Sequence, residues 1–111
     1  MGFKIATDPK FKATVRFKEP TGTDEYKNES FIVEFRVVPQ NVITSIVEEQ
    51  TDNELVAAIV VDVENVTDNN GNAILVSDGL IPVLCNIPYV RKAIIQTYFD
   101  MINGTGAQEK N

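Results

Sequence analysis

The sequence predicts an α+β domain, with an N-terminal antiparallel β-hairpin or small sheet packed against a C-terminal helical half. Three observations predict it. Apolar and polar residues alternate at period two over residues 11–18 and again over 30–38. From Asn41 onward the apolar residues follow helical spacing instead. The 111 residues are 43% hydrophobic and 23% charged, and a chain of this length buries about two thirds of its unfolded surface, enough for one core without staples. Residues 1–104 are expected to form one domain, with residues 105–111 a flexible polar tail.

Phe11, Ala13, Val15 and Phe17 alternate with Lys12, Thr14, Arg16 and Lys18, the pattern of a half-buried strand. Pro20 to Asp24 supply turn residues, and residues 25–29 read as a polar loop. Phe31, Val33, Phe35 and Val37 form the apolar face of a second strand, antiparallel to the first, and Pro39 stops it. A hairpin alone is marginal, so its apolar face needs a cover.

Val42, Ile43, Ile46 and Val47 mark the first helix. Thr51 with Glu54 three residues on fits a capping box for the second. That segment is apolar nearly all round, and its β-branched end fits either a longer helix or a strand running toward Val66. Asp68-Asn69-Asn70-Gly71-Asn72 is a strong turn, followed by a short extended piece, residues 73–76. Ser77 is the expected N-cap of a short helix carrying Leu80, Ile81, Val83 and Leu84, with Pro82 limiting it. Pro88 opens the last helix and Gly104 ends it.

Composition excludes several functions. Sixteen acidic residues against ten basic ones give a net charge of −6, which argues against nucleic acid or a membrane surface as partner. With no histidine and one cysteine, a Ser–His or Cys–His catalytic machine and a His- or Cys-rich zinc site are absent. One cysteine makes no internal disulfide. There is no signal-peptide core and no apolar run of membrane-spanning length, so a soluble cytoplasmic domain is expected. Asp62, Glu64 and Asp68 with the neighbouring asparagines lack the ligand spacing of a calcium loop, so no metal is expected. Cys85 sits in an apolar stretch and reads as a buried structural thiol. No catalytic residue and no cofactor are assigned.

The last helix carries a second apolar stripe. Ile95, Phe99 and Ile102 lie beside Val90, Ile94, Tyr98 and Met101, and together they cover more than half of its circumference. Two readings stay open: a helix sunk between layers, or an exposed ridge that binds a partner helix or a second copy.

The segment Val61-Asp62-Val63-Glu64-Asn65-Val66, the 68–72 turn, Ser77, Leu80, Leu84, Ile87-Pro88-Tyr89-Val90, Ala93-Ile94 and Tyr98 resemble the tail assembly chaperones of long-tailed bacteriophages and prophages. The family also shows an N-terminal β segment rich in Phe and Val, and often a short tail closing in Lys-Asn, as Lys110-Asn111 do here. Val63 stands where members usually carry Trp. The likeness covers residues 11–111 and is strongest from 55 on.

The resemblance implies a non-enzymatic protein of the host cytoplasm, absent from the mature virion, that keeps the long, helical tape measure protein soluble during tail morphogenesis. The expected contacts are Tyr89, Ile95, Phe99 and Ile102. It also implies a frameshifted extension that recruits the tail tube protein, and Glu109-Lys110-Asn111 is a possible site if spelled GAA-AAA-AAC. Self-association is a further expectation, since many weak copies on one partner gain by avidity. The competing readings are a structural tail or head–tail joining subunit retained in the virion and, more remotely, a small enzyme or metal-binding regulator.

Overall fold

The computed structural model describes residues 2–49 and 52–104. The cap expected at Thr51, the tail 105–111 and the proposed slip site all lie outside the described residues.

Strands β1 (Lys10–Gly22) and β2 (Glu25–Arg36) form an antiparallel hairpin, paired from Lys10 opposite Arg36 to Gly22 opposite Glu25. Thr23 and Asp24 make the connection, and Asp24 takes a left-handed φ of 58°, a conformation Asp tolerates better than most residues. The register shifts between Pro20 and Gly22. Pro20 has no N–H to give a ladder, which suits an edge strand at an irregularity.

The hairpin is longer than the alternation predicts: residues 25–29 are the first part of β2, not a loop. Both faces of this distal stretch are largely wet. Tyr26 is 66% exposed, and Lys27 pairs with Glu29 at 3.0 Å along the same strand. With no core to face, the sequence there carries no apolar period.

Beyond Pro39, α1 (Gln40–Glu49) buries Ile43 and half-buries Ile46, while Val42 and Val47 stay exposed. Next, α2 (Asp52–Ile59) buries Leu55, Val56 and Ile59. The chain passes straight from Ile59 into β3 (Val60–Glu64), which pairs antiparallel to β2. The boundary left open by the sequence therefore falls at residue 60. The sheet order is β1-β2-β3.

The 68–72 turn forms as expected. The Asp68 carboxylate accepts the N–H groups of Asn70 at 2.8 Å and Asn72 at 3.0 Å, and Gly71 takes φ 84°. Ser77 does not cap a helix. It lies inside a 3-10 turn, Val76–Asp78, in which the Asp78 carboxylate accepts the Leu75 N–H at 3.0 Å. Helix α3 (Leu80–Cys85) starts only after Gly79. Starting there places Pro82 in the first turn, where its missing N–H costs no intrahelical bond.

Helix α4 (Pro88–Ile102) begins with Pro88 in its first turn, and Gly104 at φ 76° donates its N–H to the Met101 carbonyl just past its end. α4 lies over β1. Between sheet and helices sit Val15, Phe31, Val33 and Phe35 from the hairpin, with Leu80, Leu84, Val90, Ile94 and Tyr98 above them. Tyr98 is the hub: its ring lies 5.4 Å from Phe35 and 6.0 Å from Phe11, and its hydroxyl accepts the Val38 N–H at 3.0 Å. Val63 is buried in the same core. No described helix is long and apolar enough to cross a membrane.

Candidate protein-binding surface

Helix α4 positions all four expected contact residues. Ile95 and Phe99 are half-buried and pack against the core, Phe99 meeting Tyr98 edge-on at 5.4 Å. Tyr89 is 36% exposed and Ile102 43%. At 3.6 residues per turn, Ile95 and Ile102 lie about 20° apart around the helix and Phe99 about 40° from Ile95. Tyr89 lies about 120° from Ile95, on the flank where its ring meets Phe17 of β1 at 5.8 Å. The structure thus brings Ile95, Phe99 and Ile102 together on one flank and sets Tyr89 on another, against the hairpin.

The helix is held firmly enough to present these residues. Arg91 donates to the Cys85 carbonyl at 3.0 Å and comes within 3.9 Å of Asp52, tying α4 to both α3 and α2. Tyr98 ties its far end to the residues after β2.

Further exposed apolar side chains escaped the sequence reading. Val83, read with the helical apolar set, is 55% exposed on α3, and Val47 is 61% exposed on α1. Leu75 is 55% exposed ahead of the 3-10 turn, and Phe3 and Ile5 are 89% and 87% exposed at the N-terminus. Helical spacing gives the side of a helix but not whether a neighbour covers it, so no local signal marks these positions.

On the sheet, a shallow open depression of about 410 Å³ is lined by Arg16, Phe17, Lys18, Asn28, Glu29 and Ser30. Arg16 and Lys18 have no salt bridge among the described residues, whereas Lys10 reaches Asp8 at 2.9 Å and Lys12 reaches Glu64 at 2.8 Å. Nothing in the sequence distinguishes these two cations from the two that are paired.

The titratable groups describe the chemistry of this surface. The Lys10 ammonium holds the Asp8 carboxyl below its usual range, and Glu64 and Glu29 push Lys12 and Lys27 up. The backbone N–H groups of Asn72 and Asn70 lower Asp68. Each shift favours the charged form, so these groups act as fixed charges near neutral pH. Burial raises the Cys85 thiol, which keeps it protonated and unreactive. Among the described residues no charged side chain is buried, and no three of His, Cys, Asp and Glu gather to hold a metal ion. What the surface offers is apolar contact beside fixed charge.

No protein-family model matches the chain, and no curated protein and no solved structure matches it either.

Proposed function

We propose that this chain is a tail assembly chaperone of a long-tailed bacteriophage or prophage, binding the tape measure protein in the host cytoplasm and keeping it soluble until the tube forms. The observation that carries the reading is the residue pattern from Val61 to Tyr98. The geometry supports it in two respects. Helix α4, pinned at both ends, offers Ile102 beside half-buried Ile95 and Phe99, a ridge that an amphipathic partner helix can cover. The net charge of −6 keeps a domain with such a ridge from precipitating on itself. The chain then acts by covering apolar surface, without bond chemistry, and leaves before the virion is complete. A frameshifted extension, where the gene carries one, recruits the tail tube protein.

The test is to express the native locus with an N-terminal tag on this chain and to identify every co-purifying species by mass spectrometry. A long helical tail protein in the pull-down is the expected result, together with absence of the chain from purified virions. Recovery of the chain alone, or only with tube or connector subunits, overturns the reading in favour of a structural subunit. Replacing the exposed residue of the ridge, Ile102→Ser, is expected to weaken capture while leaving the thermal transition in place. Replacing Ile95→Gln and Phe99→Gln is expected to lower stability by about 1 kcal/mol or more each, because both are half-buried against the core.

A further inference from the structure

We propose that copies of this chain associate head to tail through the two open edges of the sheet, with β3 of one copy lying beside β1 of the next. The proposal stands whether or not the partner is a tape measure protein.

The central strand is β2, so β1 and β3 each present an edge with no strand partner among the described residues. The β1 edge runs for 13 residues, long enough to invite pairing. Cross-strand partners share a face, and the register sets Lys12 opposite Glu34 and Glu34 opposite Asp62. The Lys12–Glu64 salt bridge at 2.8 Å crosses β2 on this same outer face, opposite the buried residues Val15, Val33 and Val63. On it, β1 carries Lys10, Lys12, Arg16 and Lys18, while β3 carries Asp62 and Glu64. Between them β2 contributes Glu34 and Arg36, whose charges cancel. One edge of the sheet is therefore cationic and the other acidic.

That polarity selects among the pairings. β1 against β1 sets two cationic rows side by side, and β3 against β3 sets acid against acid; like charges opposite one another oppose pairing. Only β1 against β3 brings opposite charges together. The strand directions agree, because β1 and β3 are both antiparallel to β2 and so run the same way. A copy added by translation and twist meets its neighbour as a parallel strand about 4.8 Å away, with the outer faces continuous.

The charges also match in spacing. Lys10 and Lys12 are occupied within their own chain, by Asp8 and Glu64. Arg16 and Lys18 stand two residues apart and have no salt bridge among the described residues; Asp62 and Glu64 stand two residues apart on the opposite edge, and Asp62 has none either. Setting Asp62 beside Arg16 brings Glu64, which already bridges to Lys12 of its own chain, beside Lys18 as well, next to the depression lined by Arg16, Lys18, Asn28 and Ser30. A row of cations on an edge normally blocks pairing with a like strand; here it admits an acidic one. The two surfaces differ, so the contact is heterologous and repeats into a ring or an open filament rather than stopping at a dimer.

Sedimentation velocity of the full chain over a concentration series, at low and high salt, tests this. Larger species that grow with concentration and recede with salt are expected. Arg16→Glu/Lys18→Glu and Asp62→Lys/Glu64→Lys change only exposed side chains, and circular dichroism verifies that each pair of changes leaves the fold intact. Each variant alone is expected to associate about tenfold more weakly or worse, the Asp62–Arg16 pair and the attraction between Glu64 and Lys18 being replaced by repulsions. An equimolar mixture of the two restores assembly, since each then supplies the charge the other lacks. A wild-type chain that is monomeric throughout, or that stops at a dimer, overturns the proposal. So does association that neither variant weakens, or that the mixture fails to restore.

Discussion

Tyr98→Phe isolates the hydrogen bond that locks the end of β2 to α4. Tyr98 is 2% exposed, and its ring contacts with Phe35, Phe11 and Phe99 at 5.4, 6.0 and 5.4 Å survive the change. No cavity opens. What disappears is the acceptor of the Val38 N–H at 3.0 Å. Val38 is half-buried, so water replaces that acceptor only in part, and the loss falls at about 1–2 kcal/mol. For a chain of this length each kcal/mol moves the melting temperature by about 4 °C, giving a drop of about 4–8 °C. Urea unfolding followed by far-ultraviolet circular dichroism reads the change, with the slope in denaturant unaltered because the buried surface is the same. Tyr98→Ala, which also empties the ring site, is expected to cost about 3–5 kcal/mol. A Tyr98→Phe chain within about 0.3 kcal/mol of wild type, or unchanged hydrogen exchange at the Val38 amide, refutes the reasoning.

Two further outcomes follow from the titratable groups. The folded-state pKa of Asp68 lies below its ordinary value of 3.8, so its contribution to stability is fully present above pH 3.8 and fades as pH falls through the lower folded value. Asp68→Asn therefore lowers stability in the neutral region and leaves it little changed at low pH, where Asp68 is protonated in any case, so part of the acid limb flattens; an identical acid limb counts against the turn geometry. Cys85 is 4% exposed and its thiol is shifted up by burial, so alkylation by iodoacetamide at pH 8 is expected to be slow when folded and fast in denaturant. Equal rates in the two states contradict its place in the core.

The sequence by itself determined the class of fold and most of its elements. Period-two alternation marks the core-facing residues of the hairpin because the sheet has one wet face and one dry one, and Val15, Phe31, Val33 and Phe35 are indeed buried. Turn chemistry marks residues 68–72, and Pro88 and Gly104 mark the ends of α4, because these act within a few residues of backbone. The burial of Cys85 was equally legible from its apolar neighbours.

Tertiary structure decided the rest. Residues 25–29 are a strand because β1 offers them hydrogen bonds, although no apolar period betrays it. Val60 to Glu64 leave helical geometry because the open edge of β2 pairs with them, which local propensity does not reveal. Asp78 and Gly79 take over the start of α3 from Ser77, and Pro82 sits comfortably only in that later register. The candidate surface divides in the same way. Helical spacing places Ile95, Phe99 and Ile102 on one flank of α4, but only packing leaves Ile102 exposed, half-buries the other two and turns Tyr89 onto Phe17. The separation of cationic and acidic edges belongs wholly to the fold: β1 and β3 lie far apart in the chain, and only the order β1-β2-β3 places their charges on one face at opposite ends of the sheet.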